Sequence, residues 1–220
     1  MDWISRQYTA VHLGKGPRKV VGVILHDTAG SGLINDVKYL ANPSDGRKVS
    51  VDFCTTRDGG VYQLNPDLNN RWTFHAGRAT RFKGLRNQDV TKGCIGIEIC
   101  QKADLSLSPL YPKAQVESTA RLCAYLTKEF SLNREDITTH AKVITDGSRT
   151  DPRRFPWDDF WTAYEGSPGG AGAVHHTVMP GETLYGLSNR YNVPVEYLKQ
   201  LNSINEFSNL ITAGQLLRVR

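Results

Sequence analysis

The stretch VVGVILHDTAG, residues 20–30, decides the fold of the first part of the chain. Val20 to Leu25 form a continuous apolar and largely β-branched run, which predicts a strand that is covered on both faces. His26 follows directly at the C-terminal end of this strand. Side chains at such an end project from a rigid sheet into a cleft formed by loops, so His26 is well placed to act as a ligand.

Shorter elements follow this strand along the chain. A helix is predicted from Leu33 to Leu40, and it ends before Pro43 because the residue preceding proline disfavours helical geometry. Val51 to Thr56 and Val61 to Leu64 are predicted strands. They flank the sequence RDGG, whose Asp-Gly-Gly content predicts a hairpin.

The segment from Cys94 to Cys100 alternates between two faces of a predicted strand. One face carries three isoleucines, and the other carries Glu98 among small residues. A helix from Lys113 to Phe130 has apolar residues at helical spacing, so it can cover the isoleucine face. Strands and helices thus interleave, which predicts an α/β fold with a mixed central β-sheet flanked by helices.

A run of small residues, GSPGGAGA at positions 166–173, separates two predicted domains. Such a run favours flexible coil and offers no side chains to bury. We therefore predict one domain at residues 1–165, a linker at 166–173 and a second domain at 174–220.

The second domain has the pattern of a small βααβ unit. Thr177 and Val178 form the first predicted strand, and apolar residues at helical spacing run from Leu184 to Tyr191. Pro194 suits the first turn of a second helix, and Leu216 to Val219 form the closing strand. A unit of this size buries only a small core, which favours binding over catalysis.

Composition excludes several functional classes. The 220-residue chain has a net charge of +5, and residues 174–220 contribute +1 from four basic and three acidic residues. The mild bias suits an anionic polymer such as a bacterial wall, but Lys and Arg form no stripe of the kind found in nucleic-acid-binding proteins. We expect no nucleic-acid partner and a monomer.

The sequence predicts neither a transmembrane helix nor a signal peptide. The longest apolar stretches are far shorter than the roughly 20 residues of a transmembrane helix, and no signal peptide is visible at the start.

Four cysteines lie in apolar segments, at positions 54, 94, 100 and 123. Buried free thiols are the favoured interpretation, although a disulfide stays geometrically open.

Three distant side chains form a candidate metal set. His26, His140 in TTHA and Asp151 in RTDP would give tetrahedral zinc three ligands and leave one open position. No short-range H-x-x-x-H pattern ties these ligands together, so the residues alone leave ordinary surface or hydrogen-bonded histidines as an alternative.

Five separated segments occur in the order seen in type 2 N-acetylmuramoyl-L-alanine amidases, and the chain resembles that family throughout its first domain. The segments are VILHDTAG at 23–30, FHAG at 74–77, GCIGIE at 93–98, TH at 139–140 and RTDP at 149–152. The resemblance implies that His26, His140 and Asp151 bind Zn²⁺ and that Glu98 is the acid/base residue beside the metal. A carboxylate in reach of a zinc-activated water agrees with this role.

Three positions depart from the family pattern. Arg149 stands where the family often has a lysine that stabilises the tetrahedral oxyanion, so we expect Arg149 to keep the charge with altered donor geometry. Asp27 and Asp52 stand where the family frequently has histidines. Neither position holds a zinc ligand in the family, so the expected metal site is complete.

Two further features have open interpretations. His75 is expected to line the substrate groove, where it can donate to a substrate carbonyl; packing beside Trp72 and Phe74 is the alternative. The aromatic cluster at residues 155–157 either supports the loop that carries Asp151 or forms a platform for sugar.

The second domain resembles a LysM domain over nearly its whole length, from TVMPGETL at 177–184 to the last strand. The resemblance implies a shallow groove for glycans that contain N-acetylglucosamine, with peptidoglycan as the target and chitin as a weaker option. We expect the groove between the Gly181 to Leu184 loop and the Ile204 to Leu210 loop, with Gly181, Thr183 and Leu184 contacting the sugar. A purely structural appendage is the alternative.

Together the two resemblances imply a wall-degrading enzyme. The expected reaction is hydrolysis of the amide between N-acetylmuramic acid and L-alanine in bacterial peptidoglycan. A phage endolysin fits best: it would be made in the host cytoplasm without a signal peptide and would act at the cell wall. A non-catalytic peptidoglycan recognition protein and a wall-remodelling or recycling amidase are the alternatives.

Overall fold

The computed structural model describes residues 3–167, 175–191, 193–202, 204–205 and 208–219. The chain divides into two compact units, residues 1–170 and 171–220. Most of the predicted linker, from position 168 to 173, lies outside the described residues. Its first residue, Gly166, is the last residue of a helix.

The first unit contains the strands β1 (Gly14–Lys15), β2 (Gly22–Asp27), β3 (Phe53–Thr55), β4 (Val61–Gln63), β5 (Arg71–Trp72), β6 (Arg81–Phe82), β7 (Leu85–Arg86), β8 (Cys94–Ile99) and β9 (Ile137–Thr139). Its helices are α1 (Ile34–Ala41), α2 (Gln88–Gly93), α3 (Lys113–Glu129), α4 (His140–Val143) and α5 (Trp157–Gly166), with a 3-10 turn at Arg134–Asp136.

The central sheet has five strands in the order β4-β3-β8-β2-β9. β3, β8, β2 and β9 run parallel to their neighbours, and β4 pairs with β3 in the antiparallel direction, as the predicted hairpin requires. The sheet is therefore mixed and lies among helices, which confirms the predicted α/β class. Because β2 lies between β8 and β9, the C-terminal ends of these three strands meet at one edge.

The predicted isoleucine face is part of the main core. Ile95, Ile97 and Ile99 of β8 are fully buried together with apolar residues of α3, namely Val116, Ala120, Cys123 and Leu126. Burying a side chain of this size stabilises a fold by about 1.5–3 kcal/mol, so the face fixes how α3 packs on the sheet. On the opposite face, Cys94 is buried in a separate apolar cluster with Ile24, whereas Glu98 near the end of β8 is half-buried.

Strand β2 differs slightly from its prediction. The predicted strand ran from Val20 to Leu25, whereas β2 begins at Gly22 and continues through His26 and Asp27. It extends this far because β8 pairs with it as far as Asp27, whose register partner is Ile99. His26 is thus held inside a strand by pairing with Glu98 of β8, one residue beyond the last pair with β9, which fixes its position more firmly than a loop would.

All four cysteines are buried and free, which confirms the interpretation as thiols. No helix among the described residues is long and apolar enough to cross a membrane.

The second unit has the predicted βααβ order. Its elements are β10 (His175–Thr177), α6 (Leu184–Tyr191), α7 (Val195–Leu201) and β11 (Leu216–Arg218), and the two strands pair in the antiparallel direction. Its core contains Val178, Leu184, Leu187, Leu198, Leu217 and Val219. Pro194 directly precedes α7, and its carbonyl accepts a hydrogen bond from the amide of Leu198 at 3.1 Å.

Candidate metal centre and cleft

The three predicted ligands meet at one point of the first unit. The distances are 3.0 Å from His26 Nδ1 to His140 Nδ1, 3.1 Å from His140 Nδ1 to Asp151 Oδ2 and 3.3 Å from His26 Nδ1 to Asp151 Oδ2. Both histidines are buried, and Asp151 is half-buried. Side chains that are 114 positions apart in sequence thus converge within hydrogen-bond range of each other.

The sheet topology explains this convergence. His26 lies near the C-terminal end of β2, and His140 directly follows β9, which runs parallel to β2. Thr139 caps the short helix α4, since its side chain accepts a hydrogen bond from the amide of Lys142 at 3.1 Å. The loop that carries Asp151 is held there by a bond from the amide of Ala141 to the carbonyl of Asp151 at 3.0 Å.

Backbone carbonyls fix which nitrogen of each histidine carries hydrogen. A carbonyl only accepts, so His140 donates from Nε2 to the carbonyl of Ala76 at 3.2 Å and keeps a lone pair on Nδ1. His75 likewise donates from Nε2 to the carbonyl of Cys94 at 3.0 Å. Its Nδ1 then accepts from Nε2 of His26 at 3.1 Å, which leaves Nδ1 of His26 with a lone pair.

The donor set therefore fits a divalent cation. Two nitrogen lone pairs and one carboxylate oxygen face a common centre, and such an arrangement is repulsive unless a proton or a cation lies among them. Ligands bonded to tetrahedral zinc at about 2.0–2.2 Å lie about 3.3–3.6 Å from each other, slightly more than the three separations found here. Zinc fits these residues: His26, His140 and Asp151 would supply three of its ligands.

The charges of the group agree with this assignment. Burial lowers the pKa of His26, and the nearby His140 lowers it further, which keeps the imidazole neutral and able to coordinate. Burial opposes ionisation of Asp151, but the adjacent rings of His140 and His26 outweigh it and hold the pKa of this carboxyl below its usual range. The group thus presents a neutral His26 and an ionised Asp151, as zinc binding requires of these two ligands.

Glu98 lies beside this centre, because it is the register partner of His26 in the parallel β2–β8 pairing. Its side chain is half-buried, and no described residue forms a hydrogen bond or an ion pair with its carboxylate. Burial raises the pKa of Glu98 well above its ordinary value, and the charges of Asp151, Asp27 and Asp36 raise it further. A partly accessible carboxylate with a raised pKa is suited to proton transfer.

The centre opens into a cleft of about 650 Å³. His26, His75, Glu98, His140 and Asp151 line it, so the structure brings together all of these predicted site residues. Arg149 also lines the cleft and is exposed, so its guanidinium can reach a bound ligand. The pKa of His75 is lowered to about 3 by burial and by the neighbouring His26, so this ring is neutral.

Asp27, one of the departures from the family pattern, fastens the Asp151 loop to β2. Nη2 of Arg153 donates to Oδ1 of Asp27 at 2.8 Å, and the amide of Arg153 donates to Oδ2 at 2.7 Å. The hydroxyl of Tyr111 also donates to Oδ2 of Asp27 at 2.8 Å. Asp27 and Arg153 are 126 positions apart, and only the three-dimensional structure shows that they pair.

Asp52, another departure, forms a buried ion pair with Arg18. Nη1 and Nη2 of Arg18 donate to the two carboxylate oxygens at 2.8 and 3.1 Å, and both side chains are 0% exposed. Burial opposes ionisation of Asp52, but the charge of Arg18 outweighs it and lowers the pKa of the carboxyl. Sequence reasoning missed Arg18; an acidic residue in a predicted buried strand was the signal that a basic partner was required.

The aromatic cluster packs beneath the ligand loop. Phe155 is buried in the main core, with its ring 5.1 Å from that of Tyr111 and 4.9 Å from that of Trp157. The hydroxyl of Tyr111 lies 2.9 Å from the carbonyl of Arg153, two residues after Asp151. These contacts favour support of the loop over an exposed sugar platform.

The second unit places the predicted sugar-contacting residues at the start of α6. Gly181 has φ +84°, a conformation that favours glycine, and Thr183 Oγ1 accepts a hydrogen bond from the amide of Gly186 at 3.1 Å. Leu184 is only 2% exposed and belongs to the core of the second unit. Part of the second predicted loop, residues 206–207, lies outside the described residues.

Exposed apolar residues near this region were not predicted. Met179 is 57% exposed and lies two residues before the first predicted groove loop, and Leu210 is 86% exposed and is the last residue of the second.

Comparisons with known proteins agree with the fold and the site. Residues 16–154 match the family described as N-acetylmuramoyl-L-alanine amidase, and residues 176–220 match the LysM domain. The chain is 29% identical over 201 residues to N-acetylmuramoyl-L-alanine amidase XlyA of Bacillus subtilis, a match that covers 90% of this chain. It spans 60% of the length of XlyA.

Solved structures with a similar fold include AmpD and AmiD. A selenomethionine derivative of AmpD has a TM-score of 0.57 at 20% identity, covering 72% of this chain and 93% of AmpD. AmiD from E. coli, an N-acetylmuramyl-L-alanine amidase, has a TM-score of 0.53 at 18% identity, covering 67% of this chain and 58% of AmiD. At these identities the likeness shows a shared fold alone, whereas the family match extends over most of the first unit. The chain therefore belongs to the N-acetylmuramoyl-L-alanine amidase family and carries a LysM domain at residues 176–220.

Proposed function

We propose that this protein hydrolyses the amide bond between N-acetylmuramic acid and L-alanine in bacterial peptidoglycan, with zinc at His26, His140 and Asp151. The observation that carries the proposal is the convergence of these three ligands beside a carboxylate with a raised pKa, in one cleft. Zinc in such a site acidifies water and polarises a carbonyl oxygen.

The side chains of the cleft have separate roles in this reaction. Glu98 accepts a proton from the attacking water and returns it to the amide nitrogen as the bond breaks. The raised pKa of Glu98 suits both proton transfers, because the carboxyl group must keep the proton after taking it from water and before giving it to the amide nitrogen. Arg149 supplies positive charge from the cleft wall, where the amide oxygen becomes negative in the transition state.

Relatives and the second unit support peptidoglycan as the substrate. The E. coli AmiD structure is a complex with the substrate anhydro-N-acetylmuramic acid-L-Ala-D-γ-Glu-L-Lys. In the proposed function, the LysM domain binds a glycan strand. This binding raises the local concentration of cleavable amide bonds near the first unit. A polymer-binding domain is of little use to an enzyme that acts on soluble fragments, which favours the intact wall as the site of action.

We further propose that the biological role is that of a phage endolysin. The match to the amidase XlyA along 90% of this chain motivates this proposal, and a mutant endolysin from Bacillus subtilis shares the fold, with a TM-score of 0.54 at 22% identity. The complete set of ligands and Glu98 disfavours a non-catalytic recognition protein, which would have no need for an acid/base residue.

Mass analysis of the products released from purified sacculi tests the reaction. The proposal predicts that new free amino groups belong to L-alanine and that glycan chains remain intact. His26→Ala is the matched inactive variant, because it removes one ligand. Cleavage within the glycan, or between amino acids of the stem peptide, would contradict the proposed bond.

A further inference from the structure

Both ring nitrogens of His75 are used inside the protein. Nδ1 accepts from Nε2 of His26 at 3.1 Å, and Nε2 donates to the carbonyl of Cys94 at 3.0 Å. The ring lies against β8 at Gly96, where a Cβ atom would come within 2.5 Å of Cγ of His75. His75 therefore has no nitrogen left for a substrate carbonyl, although it lines the cleft.

The carbonyl that anchors His75 is itself held by the buried ion pair. Nη2 of Arg18 donates to the carbonyl of Cys94 at 2.5 Å, so this oxygen receives one donor on each lone pair. Asp52 accepts a hydrogen bond from the amide of Gly96 at 2.9 Å, and its own amide donates to the carbonyl of Gly96 at 3.1 Å. Arg18 and Asp52 thus fix the segment of β8 on which the ring of His75 lies.

Further bonds keep the ion pair itself in one arrangement. Asp52 also accepts from Thr73 Oγ1 at 3.0 Å and from Asn65 Nδ2 at 2.7 Å, while Nε of Arg18 donates to the carbonyl of Lys92 at 2.8 Å. A buried network in which every member has partners is rigid, because moving one group leaves another unsatisfied.

We propose that His75 is a positioning residue that holds His26 with hydrogen on Nε2 and a free lone pair on Nδ1, and that Arg18 and Asp52 fix His75 in turn. The chain of contacts runs from Asp52 and Arg18 through the carbonyl of Cys94 and the ring of His75 to His26. The inference rests on the proposed function only in treating His26, His140 and Asp151 as a metal site.

Losing the acceptor at His75 has a defined consequence. Nε2 of His26 is then left without a partner in a buried position, and the ring can exchange tautomers or turn away from His140. Removing a residue that orients a metal ligand in this way lowers metal affinity about ten- to a hundredfold. Loss of simple packing would instead lower the stability of the metal-free protein and leave the affinity of the folded protein unchanged.

Zinc affinity of two His75 variants separates these roles. His75→Phe keeps a ring over Gly96 but has no polar atom, whereas His75→Gln keeps an acceptor and a donor. Competition with a chromophoric chelator gives the zinc dissociation constant, and thermal unfolding of the metal-free protein gives stability. We expect His75→Phe to bind zinc about ten- to a hundredfold more weakly and His75→Gln to recover most of the affinity. The absorption spectrum of bound cobalt should change in His75→Phe and resemble wild type in His75→Gln.

Equal zinc affinity in wild type and folded His75→Phe would overturn the inference. Nitrogen NMR of metal-free, 15N-labelled wild-type protein tests the same point without a variant, and it decides the matter if His75→Phe does not fold. The predicted state of His26 is the neutral tautomer with hydrogen on Nε2, and a dominant Nδ1–H tautomer would overturn the inference. A wild-type protein that binds no zinc contradicts the proposed function, while the NMR result still decides the role of His75.

Discussion

His26 and Glu98 are register partners on the adjacent parallel strands β2 and β8, so the metal ligand and the carboxylate leave the same face of the sheet side by side. Neighbouring strands are about 4.8 Å apart, which places the two side chains within reach of one small molecule. The acid/base residue is thus fixed by backbone pairing of the sheet and does not depend on the conformation of a loop.

Glu98→Gln should abolish most of the activity and leave the metal in place. Gln has nearly the same shape but cannot accept the proton, and general acid–base catalysis contributes about 10²–10⁴-fold to a rate. We expect a fall of at least about a hundredfold in the release of amino-terminal alanine from sacculi. The matched control is Glu117→Gln on the exposed surface of α3, which should have wild-type activity. Unchanged activity in Glu98→Gln would exclude Glu98 as the acid/base residue.

The same substitution should stabilise the metal-free protein at neutral pH. The pKa of Glu98 is raised in the folded state, so this group's contribution to stability is present at low pH and is lost as pH rises through that raised pKa. Gln carries no charge and avoids this loss. Thermal unfolding of both proteins across the pH range should show equal Tm values in acid and a higher Tm for Glu98→Gln at neutral pH. A lower Tm for Glu98→Gln at neutral pH would show that ionised Glu98 is stabilising.

Arg153→Gln should loosen the loop that carries Asp151. The side chain of Asp27 is only 1% exposed, and it loses the charged partner that joins the loop to β2. A buried group that loses a charge-assisted hydrogen bond costs about 2 kcal/mol, so unfolding should shift to lower denaturant and zinc affinity should fall. Arg154→Gln is the control, because Arg154 is exposed and donates only one described bond, to the carbonyl of Leu105 at 3.1 Å. If both variants lose stability equally, the pair with Asp27 is not the cause.

Removing residues 174–220 should affect polymeric and soluble substrates differently. The first unit is compact by itself and contains the whole cleft, so activity on soluble muropeptides should remain. Activity on sacculi should fall about tenfold or more, because tethering multiplies overall avidity by factors of about 10²–10⁴. Adding the separate second unit should not restore the activity, since the effect depends on covalent linkage. Equal rates of full-length and shortened protein on sacculi would contradict the role given to the LysM domain.

Local patterns in the sequence predicted most of the fold and placed His26 and Glu98 on strands. The apolar run before His26 and the alternation around Glu98 follow strand periodicity, so strand, face and edge could be assigned from neighbours in sequence. The ligand set itself needed the resemblance to a family, because His140 and Asp151 show no periodic relationship to His26.

The supporting interactions could not be predicted in this way. Asp27 and Asp52 were recognised as unusual residues, but their partners Arg153 and Arg18 are 126 and 34 positions away. Pairing between residues so far apart depends on how the loops cross the sheet. Local sequence patterns carry no information about these loop paths. The role of His75 was hidden for the same reason, since it depends on a backbone carbonyl of β8 that no side-chain pattern reveals.

Metal reconstitution with product release as the readout tests the central claim most directly. The protein is stripped of metal with a chelator, dialysed and titrated with zinc while amino-terminal alanine released from purified sacculi is measured. The account predicts no release from the stripped protein and full recovery at one equivalent of zinc, with no recovery in His140→Ala. Continued release of alanine from demonstrably metal-free protein would contradict the account.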